Sequence, residues 1–217
     1  MIVRVFLAAL LLSGALFLAL GAASSKEFSS KPSPTAVTDA IGLTDSRVFK
    51  VDAGHSSVIF SIKYLDVSWY YGRFKTCSGE FLLDGSDVGK SFVNIEIPTD
   101  SLELNDEKRN RAMKGQSFLA AKQFPTMTFK STKVSGGTDG KFGIVGDLSF
   151  RGKTRSITLY ATNTGSGSIS PRFGFRSGFE GTFTIKRSEF GMSRFLREKM
   201  LGDDIRVIVS LQGAPKK

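Results

Sequence analysis

The sequence predicts an all-β protein, an antiparallel β-barrel of about eight strands with one or two short helices, on three observations. Beyond Arg47, apolar and polar residues alternate with period two over most of the chain. Glycine-containing turns at Gly85, Gly136-Gly137, Gly140 and Gly152 punctuate the alternating runs. Of the 19 phenylalanines, 16 lie between residues 47 and 213, and rings without a polar handle suit an enclosed apolar lining. A barrel of about eight strands encloses room for packed side chains or one slender ligand.

Residues 1–23 hold one cation, Arg4, then an apolar run from Val5 to Leu20 and the small residues Gly21, Ala22 and Ala23. This is the pattern of a secretory signal peptide, and the run is also long enough for an N-terminal membrane anchor. The chain is therefore expected to be exported, periplasmic or extracellular. Residues 24–46 contain 11 Ser, Thr or Pro in 23 positions and read as a flexible tether.

The barrel domain is expected over 47–213, with 214–217 as a tail. In its first clear strand Val58, Phe60, Ile62 and Tyr64 share a face opposite Ser61 and Lys63. Phe81 and Leu83 mark the next strand. Val93, Ile95 and Ile97 follow, opposite Asn94 and Glu96, and Pro98 ends that strand. Between Asn105 and Phe124 the alternation stops. Asn105-Asp106-Glu107-Lys108 has capping and acidic residues, predicting one or two short helices separated at Gly115, with Met113, Phe118 and Leu119 turned towards the barrel. Alternation resumes at Phe142, Ile144, Leu148 and Phe150, then at Ile157, Leu159 and Ala161. It is clearest at Phe173, Phe175, Phe179, Phe183 and Ile185, and Val207, Val209 and Leu211 form the closing strand.

These faces nominate Val58, Phe60, Ile62, Tyr64, Phe81, Phe129, Phe142, Ile144, Phe173, Phe175, Phe179 and Phe183 as an apolar binding surface. Any packed barrel needs the same pattern, so a hollow barrel and one filled by its own side chains both fit.

Catalytic chemistry finds little support. His55 is the one histidine, and Asp52 and Ser56 lie within turn hydrogen-bonding reach, which favours a structural or head-orienting role over that of a base. Cys77 is the one cysteine, so no intramolecular disulfide can form, and no third residue completes a nucleophile–base set with His55. There is no phosphate-cradling glycine loop and no metal-ligand spacing, so the expectation is no catalytic residue, no metal and no required cofactor. The formal charge of +10 favours anionic partners, whether phospholipid headgroups of a membrane surface, cell-wall polymers or a pyrophosphate on a lipid, without choosing between them, while the scatter of the cations argues against nucleic acid. His55, Arg73 and Arg187 are the candidates for contact with a ligand head group; Lys130, Arg151 and Lys153 read as surface charges.

Several ordered segments resemble the YceI-like family. They begin at Val51-Asp52-Ala53-Gly54-His55-Ser56-Ser57-Val58, Gly72-Arg73-Phe74 and Ser78-Gly79-Glu80-Phe81, and continue through Asn105 to Arg111. Phe124-Pro125-Thr126-Met127-Thr128-Phe129-Lys130-Ser131, Val145-Gly146-Asp147-Leu148-Ser149-Phe150-Arg151-Gly152-Lys153-Thr154 and Lys186-Arg187-Ser188-Glu189-Phe190-Gly191-Met192 complete the set. The resemblance implies an exported, lipocalin-like barrel that binds a polyisoprenoid lipid or isoprenoid quinone lengthwise, for storage or transport without catalysis. An envelope stress or interaction module with a self-filled barrel, or a lipid-modifying enzyme, are the alternatives. The chain departs from the family pattern after Gly191, where Ser193 to Met200 is more basic and reads as a helical segment at a barrel rim.

Overall fold

The computed structural model describes residues 46–217. Eleven strands and one α-helix follow in chain order: β1 (Phe49–Val51), β2 (Ser57–Tyr64), β3 (Ser68–Phe74), β4 (Ser78–Leu82), β5 (Phe92–Pro98), β6 (Leu102–Glu103), α1 (Glu107–Lys114), β7 (Thr126–Gly136), β8 (Lys141–Phe150), β9 (Lys153–Ser170), β10 (Gly174–Lys186) and β11 (Leu201–Pro215). The expected export segment over 1–23, and all of the expected tether except Ser46, lie outside the described residues.

All pairings are antiparallel, and eight strands close a ring in the order β1-β4-β5-β7-β8-β9-β10-β11 and back to β1. The ring closes through few rungs. Phe49 pairs with Phe81 and Lys50 with Glu80 on one side, and Phe49 to Val51 pair with Pro215 to Gly213 on the other. Ala214 and Pro215, expected in a tail, thus belong to β11, and the Lys216 ammonium reaches Glu80 at 2.8 Å. After a 3-10 turn at Ala53–His55, β2 runs along β11 and carries β3 and then β6 on its other edge. Hydrogen-bonded closure between β1 and β4 therefore lies at one end of the barrel. Beyond that closure, beside the start of β2, Arg73 and Phe74 of β3 pair with the two-residue β6, from which the chain enters α1.

The two halves have different interiors. At the closed end Phe49 stacks on Phe81 with centroids 5.6 Å apart and on Phe175 at 6.0 Å, while Phe179 meets the Phe81 ring edge-on at 5.1 Å. Phe142 and Ile144 complete this plug, at 2% and 0% exposure. Each such ring contributes roughly 1.5–3 kcal/mol of burial, with about 0.5–1.5 kcal/mol more per aromatic pair. Towards the open end Leu148, Phe150, Ile185, Phe190 and Met192 form a second cluster with Leu102, Leu104 and Leu119. Phe60 turns inward there over Gly72, its cross-strand partner, where an added Cβ would fall 2.4 Å from the ring.

In α1 the Asp106 carboxylate caps the backbone N–H of Arg109 at 2.7 Å, and Gly115 ends the helix. Asn110 is buried beneath it, accepting from the Leu104 N–H at 2.7 Å and donating to Glu107 at 3.1 Å. One α-helix forms where one or two were expected. Residues 116–123 close instead as turns whose Phe118 to Ala121 are buried, with Ala120 at φ 48°. The basic segment 193–200 is likewise a chain of turns, with Phe195 at φ 62° and Lys199 at φ 53°, values incompatible with the expected helix.

Candidate functional site: an apolar cavity with one mouth

Because strand side chains alternate, the inward rows of β2, β3, β5 and β7 to β11 converge on one space wherever the plug leaves off. That space is a cavity of about 400 Å³, within the size range of small-ligand sites. Val58, Phe60, Ile62 and Tyr64 supply the β2 wall, Tyr70 and Phe74 the β3 wall, and Val93, Ile95 and Ile97 the β5 wall. Met127 and Phe129 of β7, Leu148 and Phe150 of β8, Ile157 and Leu159 of β9, and Phe179, Phe183 and Ile185 of β10 continue the lining to Ile205, Val207 and Val209 of β11. Tyr64, Tyr70, Arg109, Thr128 and Arg187 are its polar exceptions. Met113, Met127, Met192 and Met200, all the methionines of the described residues, are on this wall, giving it flexible thioether surface.

Two segments cover the mouth. The first runs from α1 through Phe118 and Leu119; the second is 193–200, which contributes Phe195 and Met200. Their rings meet at Phe118 and Phe195, with centroids 6.3 Å apart. Each cover is held by an arginine acting on backbone carbonyls. Arg151, in the two-residue turn between β8 and β9, donates to the Phe118 and Gln116 carbonyls. Arg187 donates from Nε to Gly202 at 2.7 Å, from Nη1 to Met192 at 2.6 Å and Arg194 at 2.9 Å, and from Nη2 to Leu201 at 2.9 Å. Burial pushes the pKa of both guanidinium groups down, and nearby Asp203 partly offsets this for Arg187. The hydroxyl and N–H of Ser188 bond the Asp203 carboxylate at 2.8 and 2.9 Å, fixing that acid beside the clamp. Tyr70 accepts from Arg109 at 3.3 Å at the mouth.

Of the residues nominated from sequence, Val58, Phe60, Ile62, Tyr64, Phe129, Phe179, Phe183 and Arg187 are brought together on this cavity. Five apolar nominees are not. Phe81, Phe142 and Ile144 are consumed by the closed-end plug, and Phe175 packs beside it between Phe49 and the Arg47 guanidinium, which lies 3.6 Å over its ring. Phe173 falls in the turn between β9 and β10 and is 55% exposed under Arg172. For Phe81, Phe142, Ile144 and Phe175 the cause is that alternation identifies the inward face but not the level along the barrel axis; Phe173 lies where the alternation runs past the strand into the turn.

Two rim nominees also fall elsewhere. His55 lies in the turn between β1 and β2, its Nδ1 2.9 Å from the Asp52 carboxylate, at the closed end and roughly 25 Å from the mouth along β2. The His55 hydrogen bond holds the Asp52 pKa below the usual carboxylate value. Arg73 points outward, opposite the inward Gly72 and Phe74, and pairs with Glu103 through Nε at 2.6 Å. Cys77 is 3% exposed and burial raises its thiol pKa, so its nucleophilicity is low. Among the described residues no group of three or more His, Cys, Asp and Glu could hold a metal ion.

Met113, Phe118 and Leu119 line the cavity as their expected inward turn implied. The remaining lining was not singled out for binding. Leu148, Phe150, Ile157, Leu159, Ile185, Val207 and Val209 were legible as inward residues of their strands, whereas Tyr70, Leu102, Leu104, Met192 and Met200 carry no usable period.

A family profile for the YceI-like domain matches residues 49–213. A UPF0312 protein of Yersinia pestis (strain Pestoides F) is 34% identical over 171 residues, covering 78% of this chain and 87% of its own length. A UPF0312 protein of Vibrio vulnificus (strain YJ016) is 37% identical over 145 residues, covering 67% and 76%. Among solved structures, BcnA of Burkholderia cenocepacia superposes with a TM-score of 0.68 at 24% identity, over 76% of this chain and 99% of BcnA. A polyisoprenoid binding domain from Saccharophagus degradans, implicated in plant cell wall breakdown, superposes with a TM-score of 0.59 at 14% identity, over 77% and 98%. These two likenesses speak to the fold, the closed antiparallel barrel with a single helix. The profile, which runs from β1 into β11, and the curated relatives place the chain in the YceI-like domain family.

Proposed function

We propose that this protein binds a polyisoprenoid lipid or isoprenoid quinone, without catalysis, and stores or carries it outside the cytoplasmic membrane. The carrying observation is an apolar cavity plugged by phenylalanine at one end and covered at the other by two pinned segments. A chain entering this space gains about 0.8 kcal/mol for each methylene-sized group buried. The head then rests at the mouth near Tyr64, Tyr70 and Arg109, where hydroxyl and guanidinium donors suit either a quinone oxygen or a phosphate. The fold likeness to a polyisoprenoid binding domain supports the ligand class. The non-catalytic reading is supported by the placement of His55 away from the cavity and by the buried Cys77. The apolar segment 1–23 supports action outside the cytoplasmic membrane, in contact with an anionic membrane surface.

Mass spectrometry of organic extracts from protein purified out of its native compartment tests the reading. A co-purifying prenyl lipid or quinone is expected. Consistently empty protein that also ignores added prenyl lipids would sink it.

A further inference from the structure

The turn joining β2 to β3 is anomalous. Leu65 and Asp66 have φ of 50° and 59°, and the Val67 N–H returns to the Tyr64 carbonyl at 3.2 Å, a turn within a three-residue connection whose two left-handed positions favour Asn and Gly. The chain instead places leucine in the first left-handed position, with Asp66 in the second and valine after it. Leu65 is 48% exposed and Val67 80%, so neither is explained by packing. Side chains that break a local rule without a fold-level return mark functional positions.

The tip lies at the mouth. Tyr64 beside it lines the cavity, and the Leu65 N–H donates to the Met200 carbonyl at 2.9 Å, tying the hairpin to the second cover. The flanking segments are basic. Residues 63–69, 106–114 and 193–200 carry eight lysines and arginines against four acids, a net +4. Arg197 and Lys199 are exposed and have no ion-pair partner among the described residues. Arg194 lies 4.4 Å over the Phe195 ring.

We propose that the open end of the barrel docks on an anionic lipid bilayer, with Leu65 and Val67 entering the interface and the cations of α1 and 193–200 meeting the headgroups. An exposed aliphatic tip inside a cationic collar complements a negatively charged bilayer, whose surface attracts each nearby Lys or Arg. Docking sets the cavity mouth against the source of its ligand, and to that extent the inference rests on the lipid-binding reading. Other exposed apolar residues lack this combination: Phe173 stands at the far turn and Tyr160 on the outer wall of β9.

The test is co-sedimentation of the protein, purified from its native compartment, with phosphatidylcholine vesicles with or without phosphatidylglycerol. Every variant keeps the same N-terminal region, so that region's contribution cancels. Trp69, the one tryptophan and two residues beyond Val67, gives a second readout through its emission. Binding is expected to require phosphatidylglycerol and to fall in about 0.5 M salt. Arg197→Gln with Lys199→Gln should weaken it by about tenfold or more, taking roughly fivefold per cation. Leu65→Asn with Val67→Ser should weaken it about tenfold and remove the emission shift, while Asn at a left-handed position leaves folding intact or improved. Equal binding to both vesicle types, no binding to either, or wild-type binding by both double variants would overturn the proposal. Prenyl-lipid retention, measured separately without vesicles, is expected to be unchanged in these variants. Docking by a protein that retains no prenyl lipid would leave the bilayer surface standing and remove the cavity reading.

Discussion

The rings of Phe118 and Phe195 face each other at 6.3 Å and a tilt of 42°, joining two covers that have no common strand. Phe118 is 9% exposed and its carbonyl is held by Arg151, whereas Phe195 projects from turns with left-handed backbone. The aromatic contact is therefore the point at which the mouth can part without disturbing the barrel ladder.

Phe195→Ala should speed dissociation of a bound fluorescent prenyl probe by roughly two- to twelvefold, the equivalent of about 0.5–1.5 kcal/mol for a lost aromatic pair. Stopped-flow displacement reads the rate, and thermal melting should change little. An unchanged off-rate would show that the ligand leaves by another route.

Arg187→Met should destabilise the fold by about 3 kcal/mol, because four backbone carbonyls lose a charged donor and Gly202, Leu201, Met192 and Arg194 have no replacement within the site. Arg187→Lys should rescue only part of this loss, since one ammonium cannot reproduce the planar fork. Denaturant titration of the two variants checks both statements.

Phe179→Ala should cost about 3–5 kcal/mol and deepen the cavity, because this ring lines the cavity and also meets the plug at Phe81. The longest prenyl chain retained should increase, as read by native mass spectrometry across a chain-length series. Phe60→Asp, in folded protein, should abolish retention, whereas Lys63→Ala should leave it intact, because Phe60 lines the cavity and Lys63 lies outside against Trp69.

Asp84 is fully buried, which by itself raises its pKa, but hydroxyl donors from Ser46 and Ser86 and the N–H groups of Asp87 and Ser86 outweigh burial and hold it at about 2. A carboxyl depressed from its ordinary 3.8 contributes stability that is full above that value and lost as pH falls towards 2. The contribution is on the order of 2 kcal/mol. Melting temperature should fall over this window in the wild type, and Asp84→Asn should flatten that part of the profile.

The barrel was legible where alternation runs long, as in β8, β9 and β10, because a half-buried sheet imposes period two on its sequence. Shorter strands were not. Phe49–Val51 and Leu102–Glu103 are too brief to show a period, yet the first closes the ring and the second leads into α1. The same limit applied to the site. Phe60 and Phe142 look alike in sequence, and only the long-range pairing of Phe49 with Phe81 reveals which end is filled. Arg187 was nominated for a ligand head, but its four carbonyl partners come from the 192–202 return, whose turn geometry follows no motif readable in advance.

A vessel sealed at its base by stacked rings has a handedness of use. Under the proposed carrier function, cargo would enter tail first and leave head first, so a receiving membrane or enzyme would always meet the same end of the molecule. The few rungs joining Phe49 and Lys50 to Phe81 and Glu80 close the wall, and under that function they would also set the polarity of delivery.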